Sequence, residues 1–366
     1  MLRRLLKILG WFTLIIVLYL GGILLYGTLT DWTPTGTELL TETSAPNNGT
    51  APITDSVVTF TTWNVGYGGL GAKDRFFYND GGFFWTDLGG VRASEEAVRE
   101  YTDGQGLTLR STLSDFFLLQ EVDTAARRSR YVNQLAGARA AQPEYSVYYA
   151  PNFQSNRVPI PLFQPWDHYG YVRGGLVSLS RFHPDTAQRI QLPGEFPWPT
   201  RLFQLDRCLL RQVFPTAFDG RNLIVYNLHL SAYDEDGQLR RQQTAALREL
   251  AVADYEAGHF VVAGGDWNQL PPGFNWFSLN PTVERTQLPP ALGFDLMPPG
   301  WKYAYDPATA TVRNSDVPFD EAKNRFSVID FFLISPNLRI RAVKGLGQRF
   351  AYSDHQPVYC EVEFLR

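Results

Sequence analysis

The chain has 366 residues, 44% of them hydrophobic, enough for a large core and one to two domains. Its formal net charge is −4, so no overall positive field invites a polyanion, and a nonspecific nucleic-acid binder would have to build its basic patch locally. The aromatic content of 14% excludes a disordered chain, and the two cysteines, Cys208 and Cys360, each inside a strand-like run, read as buried free thiols.

Residues 1–7, "MLRRLLK", precede an apolar run over 8–30 with no charge between Lys7 and Asp31. That run suits one membrane-spanning helix. A cleaved signal peptide has a shorter apolar region and a small-x-small cleavage site, and none follows here. An uncleaved anchor is therefore the expectation, and secretion after cleavage the alternative. Arg3, Arg4 and Lys7 would stay cytoplasmic and place the rest of the chain outside.

Residues 31–54 are rich in Thr, Pro, Asn and Gly, lack hydrophobic periodicity, and read as a flexible linker. From residue 55 to 366 the texture is that of a folded domain. "SVVTFTTWNV" predicts a strand that stops at Gly66. "SEEAVREYTDG" and "LRSTLSD" look helical in parts, and "FFLLQEV" is a fully buried strand. "YSVYYAPNF", "RGGLVSLSRF", "CLLRQVFPTAF" and "NLIVYNLHL" are further strands. "EDGQLRRQQTAALRELAVADYEAG" is a long amphipathic helix with Leu239, Leu247, Leu250 and Ala251 on its apolar stripe and a solvated start. "HFVVAGGDWN", "FSVIDFFLIS" and "HQPVYCEVEF" complete the set. Several strands are apolar throughout, as if covered on both faces, which predicts an α/β sandwich of two packed sheets with helices outside.

Polar groups recur where these strands begin and end: Asn64, Glu121, His229, Asp266 with Asn268, Asp330, and Asp354 with His355. Each alone has a plain explanation as a turn, a surface pair or a satisfied core histidine. Together they imply that the groups meet one another, a metal or a substrate, because burying them unpartnered is costly.

In order, "TWNVG", "LLQEVD", "RGGLVSLSR", "YNLHL", "GGDWN", "VIDFFLIS" and "YSDHQPV" resemble the endonuclease/exonuclease/phosphatase superfamily. Its members include pancreatic-type deoxyribonucleases, neutral sphingomyelinases and inositol-polyphosphate 5-phosphatases. The resemblance implies a four-layered α/β sandwich, two packed mixed β-sheets flanked by helices, and a divalent-metal phosphoesterase. By the same resemblance Asn64 and Glu121 bind Mg²⁺, or alternatively Mn²⁺, with Asp354 near the same ion. Asp266 and Asn268 handle the attacking water and a phosphoryl oxygen. Asp330 orients His355, and His229 stabilises developing charge or protonates the leaving group. Two departures from the abasic-site endonuclease group, Gly66 two residues after Asn64 and His229 in place of a tyrosine, point toward the other branches.

Arg173 in "YVRGGL" is a candidate substrate contact, with Arg127 and Arg128 behind it, against the plain reading of surface arginines. His168, His183 and His259 read as structural. The substrate expected is a phosphate ester or phosphodiester. Aromatic, proline-rich segments ("RFFYNDGGFFW", "PNFQSNRVPIPLFQPWDHYGY", "LPPGFNWF") are expected on the rim of the site and favour a membrane lipid headgroup. Nucleic acid is less favoured, so a deoxyribonuclease-like extracytoplasmic endonuclease is the alternative. A non-catalytic binding module retaining the fold is the alternative of another class.

Overall fold

β-branched and aromatic runs punctuated by turn residues become strands, and the computed structural model describes them over residues 1–43, 51–87, 90–234, 236–283 and 288–365. In chain order the elements are α1 (Leu2–Leu29), β1 (Thr37–Leu39), β2 (Val57–Asn64), α2 (Glu95–Ser111), β3 (Phe116–Asp123), α3 (Gln134–Ala141), β4 (Ser146–Val158), β5 (Gly170–Ser180), β6 (Thr186–Gln191), β7 (Cys208–Pro215) and β8 (Asn222–His229). They continue with α4 (Gln238–Glu256), β9 (Phe260–Asp266), β10 (Lys302–Ala304), β11 (Val312–Arg313), β12 (Phe326–Ser327), β13 (Asp330–Ile334), β14 (Leu338–Gly345) and β15 (Val358–Phe364).

One sheet has seven strands in the order β1-β6-β7-β8-β9-β13-β10, and the other six in the order β14-β15-β2-β3-β5-β4. Each holds one parallel pair, β2 with β3 and β8 with β9. A parallel pair needs a crossover, which α2 supplies for the first and α4 for the second. The sheets face each other across Phe60, Phe116, Leu118, Val225, Val262, Phe332 and Val358. On the outer faces, Leu247 and Ala251 of α4 pack over Leu228, Ala263 and Phe331, while Leu109 of α2 and Ala138 of α3 pack over Phe117, Leu119 and Val177. The result is the four-layered α/β sandwich that the sequence predicted, and burying each large apolar side chain in it contributes about 2–3 kcal/mol.

A buried amide pair is one of the polar links between the sheets. Gln120 Nε2 donates to Asn227 Oδ1 at 2.8 Å, and Asn227 Nδ2 donates to the carbonyls of Leu119 (3.1 Å) and Val177 (3.0 Å), all buried.

Three expectations change in detail. The linker reading of residues 31–54 gives way at both its ends. Thr37–Leu39 adds to the sheet edge as β1, antiparallel to β6, and Ile53 is fully buried and bridges Thr216. Residues 44–50 of that segment lie outside the described residues. The two segments expected to be helical in parts contribute to one helix, Glu95–Ser111, which ends before Thr112–Asp115 of the second, and its Gly104 admits the Tyr352 ring, which a Cβ would meet at 2.3 Å. The supposedly solvated start of α4 is partly internal, with Asp234 and Arg240 buried and the Arg240 amide donating to Asp234 Oδ2 at 2.8 Å.

The 28-residue α1 is long and apolar enough to cross a membrane, a property an anchor and a signal sequence share. Ile16, Tyr19, Leu20, Ile23, Leu24 and Gly27 are its partly covered residues. They form a stripe at helical spacing. Tyr19 Oη donates to the Leu162 carbonyl (3.2 Å), Trp198 Nε1 donates to Thr28 Oγ1 (3.1 Å), and Asp31 faces Arg201 at 3.6 Å.

Candidate active site

Both parallel pairs terminate at the same edge of the sandwich. Asn64 is the last residue of β2, Glu121 lies near the end of β3, and His229 and Asp266 close β8 and β9. His229 is the register partner of Asp266, which in turn opposes Asp330, the first residue of β13. Three functional side chains thus stand in a row on one sheet, at the inter-strand spacing of about 4.8 Å. Asp354 and His355 enter from the loop before β15.

The two glycines before Asp266 answer to packing. A Cβ on Gly264 would stand 2.4 Å from the Phe332 ring, and one on Gly265 would stand 2.0 Å from the Leu228 carbonyl oxygen. Trp267 is a brace, its ring stacked on Phe331 at 4.8 Å and its Nε1 donating to the Phe331 carbonyl at 3.0 Å. Glu121 and Asn268 adopt positive φ (55° and 50°), uncommon for these residues and a form of strain that clusters at functional sites. A register shift between Leu119 and Val122 lifts Glu121 off the ladder. Gly66, also at positive φ, lies so near Asp354 that a Cβ would stand 2.9 Å from Oδ1. Any side chain at position 66 would be strained by the positive φ and would press on Asp354 and Ser353.

Asp266 is the hub. Its Oδ1 accepts from the Asn268 amide (2.9 Å), and its Oδ2 accepts from Asn64 Nδ2 (3.0 Å) and faces His229 Nε2 (3.4 Å) and His355 Nε2 (3.8 Å). Asn64 Nδ2 also donates to Glu121 Oε1 at 3.1 Å, while its Oδ1 accepts from the Gly66 amide. His355 Nδ1 lies 2.8 Å from Asp330 Oδ2. Asn268 Nδ2 donates to the Leu230 carbonyl at 2.9 Å. Burial alone would lower the affinity of His355 for its proton, but the carboxylates of Asp330 and Asp266 outweigh it and lift the pKa to about 10. Burial, with Arg207, His355 and Arg128 adding positive potential, pushes His229 well below the ordinary histidine range. The buried Nδ1 of His229 meets no partner among the described residues, as a neutral Nε2–H tautomer facing Asp266 allows. Burial and the neighbouring Asp330 raise Asp266 to about 6, against the lowering effect of His355.

Glu121 and Asp354 bear on the metal question. Asp354 holds its proton more tightly than an ordinary aspartate because it is buried and because Glu121 repels its charge, with His355 opposing. The carboxylates of Glu121 and Asp354 line one space and supply hard oxygens that suit a divalent cation, whereas Asn64 turns its Nδ2 to Glu121 and Asp266 and its Oδ1 to the Gly66 amide, so as a ligand it would have to turn its amide over. Among the described residues a second grouping, Asp266, Asp330 and His355, brings one ligand atom each within 4.8 Å of the others, although the Asp330–His355 ion pair already occupies two of them.

The site floors a cavity of 440 Å³ whose far side is aromatic and aliphatic: Phe76, Phe77, Tyr78, Ile160, Phe203 and Leu205. Arg173 is not part of its lining. That guanidinium donates to the Val172 carbonyl (2.8 Å) and to Asn156 Oδ1 (2.7 Å) and sits over the Tyr171 ring. The cavity takes Arg128, Arg207, Arg240 and Arg313 instead. Arg128 forms a bidentate pair with Asp123 (2.9 and 2.8 Å), and Arg313 donates to the carbonyls of Leu70, Gly71, Asp74 and Val317. Among the described residues the Arg207 guanidinium makes a single 3.4 Å contact, to the His229 carbonyl, and burial lowers its pKa to about 10 against the raising influence of Glu121 and Asp266. Sequence reasoning passed over Arg207, although it opens the apolar run "CLLRQVF" as the other site residues open or close theirs. His183 and His259 are structural, bonded to Ser146 Oγ (2.9 Å) and the Asn222 amide (3.2 Å).

An α/β sandwich carrying an Asp–His cluster of this kind at the ends of its parallel strands defines a phosphoesterase. The model of the Endonuclease/Exonuclease/phosphatase family matches residues 61–355, and the chain belongs to that family. Among solved structures, an endonuclease/exonuclease/phosphatase from Beutenbergia cavernae DSM 12333 superposes with TM-score 0.51 at 19% identity, covering 85% of this chain and 72% of its own. One from Bacteroides vulgatus gives 0.52 at 15% identity, covering 85% of this chain and 100% of its own. ANGEL2, a 2′,3′-cyclic phosphatase solved with adenosine-2′,3′-vanadate, gives 0.52 at 13% identity, covering 92% and 100%. At these identities the likeness establishes the fold. No curated protein matches the chain.

Proposed function

We propose that this chain is a membrane-anchored, divalent-metal-dependent phosphoesterase that hydrolyses the phosphoester of a lipid headgroup by direct attack of water. The observation that carries the lipid reading is continuity. The apolar wall of the cavity runs through the Tyr78–Phe83 ring contact (6.4 Å) to an exposed cluster of Phe83, Phe84, Trp85, Phe163 and Trp166. That cluster adjoins α1, since Leu162 accepts from Tyr19 and its own amide donates to the Phe83 carbonyl. Aromatic side chains of this kind settle at the membrane–water interface.

Glu121 and Asp354, with Asn64 beside them, would hold Mg²⁺ or Mn²⁺, which when bound neutralises charge on the phosphoryl oxygens. Asp266, with a pKa near neutrality, accepts the proton of the attacking water. His355, kept cationic by Asp330, donates to a phosphoryl oxygen rather than acting as a base. His229, neutral and buried, donates from Nε2, and the Asn268 amide group lies beside the same space. Arg207 supplies a cation already desolvated, so its attraction for phosphate is strong. Arg3, Arg4 and Lys7 set the catalytic domain on the extracytoplasmic side.

The nuclease reading is weaker because the net charge is −4 and the arginines line the cavity rather than a track across the surface. The binding-module reading would require a broken site. The test uses the purified full chain with Mg²⁺, offered phospholipid vesicles and plasmid DNA in parallel, with and without chelator. Headgroup release that chelator abolishes is expected; DNA cleavage without lipid hydrolysis would reject the lipid assignment, and full turnover in chelator the metal.

A further inference from the structure

Asn79 and Tyr233 line the active cavity and are at the same time exposed, so both stand at its mouth. They lie 154 positions apart in the chain and are joined there, Tyr233 Oη donating to Asn79 Oδ1 at 2.9 Å. The Tyr233 ring meets the Tyr78 ring edge-on at 5.7 Å. Asn79 Nδ2 in turn donates to Ser315 Oγ at 3.2 Å, and the Phe76 amide donates to the Ser315 carbonyl at 2.6 Å. Three cavity-lining segments, 76–79, 232–233 and 312–315, are thus tied to one another. Neither end of the bridge is loose. Tyr233 holds φ at 53°, a strained value for a bulky residue, and its surroundings keep it there. On one side the buried Ser231 donates its amide to Gln243 Oε1 (2.9 Å); on the other the buried Asp234 accepts from the Arg240 amide (2.8 Å), both partners belonging to α4. At the far end Phe77 is buried in the apolar wall, and the Asn79 amide donates to the Phe76 carbonyl at 3.1 Å.

We infer that Tyr233 determines specificity: with Asn79 it forms a crossbar over the mouth, and the crossbar selects esters at the tip of a molecule over esters in the middle of a polymer. A diester inside a polymer needs two ways out of the site, one for each arm of its chain. An ester at the tip needs only one. The crossbar shuts the way between segments 76–79 and 232–233, which leaves room for a substrate that enters end-on, as a lipid headgroup does. Tyr233 follows His229 by four residues on the same loop, so the bar stands directly beside the floor. The inference deepens the proposed function and rests on it, because the ester must be cut at the floor that the bar overhangs. It gives Tyr233 no part in the chemistry. The hydrogen bond joins exposed groups, so its net contribution is that of one ordinary bond, and the bulk of the ring adds to it. The two contributions are separable by substitution.

The experiment compares the full-length wild type, Tyr233→Phe and Tyr233→Ala, each with Mg²⁺, on two diesters. One is the p-nitrophenyl ester of thymidine 5′-phosphate, which is small and enters end-on; the other is circular single-stranded DNA, which has no end. The quantity read is the ratio of kcat/KM on the circle to kcat/KM on the small ester. Tyr233→Phe removes the bond and keeps the ring, and is expected to raise that ratio about fivefold, the factor one such hydrogen bond supplies. Tyr233→Ala removes both and is expected to raise it at least about tenfold. An active enzyme whose ratio Tyr233→Ala leaves unchanged, or whose circle stays uncut in that variant, would overturn the crossbar alone. A wild type that cuts the circle as efficiently as the small ester would do the same. So would an equal fall in kcat on both substrates, which would make Tyr233 part of the chemistry. A wild type that cuts neither diester, or that keeps full turnover in chelator, would instead overturn the reading of the floor, and the crossbar with it.

Discussion

The floor and the wall of the active cavity are built by opposite means. The floor is made of strand ends and one loop residue: Asn64, His229, Asp266 and Asp330, with His355, are all less than a tenth exposed, and Asp266 alone is met by four other groups. The wall comes from the segments around Phe76–Trp85 and Ile160–Trp166, which lead out to a rim where Phe84 is 54% exposed and Trp166 59%. Ring contacts there stand beside a few hydrogen bonds, such as those of the Leu162 and Phe163 amides to the carbonyls of Phe83 and Phe84. A directional network on rigid strands can hold reacting groups to fractions of an ångström; ring contacts on loops cannot, but they can accept ligands of varied shape. On the proposed function, the floor would do the chemistry and the wall would select what reaches it.

If that division is right, floor substitutions should act on turnover irrespective of how the ester is presented. Asp266→Asn and His355→Ala are expected to lower kcat by at least about a hundredfold on vesicles and on a soluble phosphodiester alike. A variant that lost activity on vesicles only would break the comparison. Arg207→Gln should come next, with a loss of about tenfold or more centred on KM if the group acts through ground-state phosphate binding, and on kcat if it acts only in the transition state.

Wall substitutions should separate the two substrates. Replacing Phe84, Trp85 and Trp166 by Ser is expected to lower the vesicle rate about tenfold while leaving the soluble ester nearly untouched, as a parallel assay would read out. An equal effect on both would make the aromatic cluster a local core. The smallest expected effect belongs to Asp206, which stands in the chain between Leu205 of the wall and Arg207. Asp206 is raised to about 7 by burial and by the charge of Asp31, against the pull of Arg189. The folded state therefore binds that proton more tightly than the unfolded one. The stability it contributes is complete below the unfolded value of 3.8 and is lost as pH rises through about 7. Asp206→Asn should match the wild type at low pH and exceed it above neutrality by on the order of 1–2 kcal/mol, seen as a higher Tm.

How much of this could be read from the sequence follows the same division. Strand-borne groups were legible because an apolar run interrupted by Asn, Asp or His is rare without a reason, and the run itself gives the element. His355 and Asp330 could be paired through the ordered motifs although they stand 25 positions apart. The wall was legible as composition but not as a surface, because which aromatic meets which depends on loop paths. Arg173 was preferred to Arg207 because its motif drew attention, whereas the side that a strand turns to the cavity is set by register. β1 could not have been seen: "TEL" has no apolar pattern and joins the sheet through backbone hydrogen bonds alone.

The amide pair between Gln120 and Asn227 has a consequence for how the site stays assembled. Within each sheet, backbone ladders fix every strand against sliding. Between the sheets most contact is apolar and nearly indifferent to a shift of an ångström along the interface, and a few hydrogen bonds fix it: Gln120 to Asn227, Asn64 to Asp266 (3.0 Å) and Arg189 to the Pro151 carbonyl (2.8 Å). Half of the floor, Asn64 and Glu121, belongs to one sheet, and the other half, His229 and Asp266, to the other. Gln120 precedes Glu121 directly, and Asn227 lies two residues before His229, so their hydrogen bond works as a locating pin set next to the seam. Removing it would leave the Asn64–Asp266 bond to hold the two half-sites in phase by itself, in a sandwich still folded and still packed.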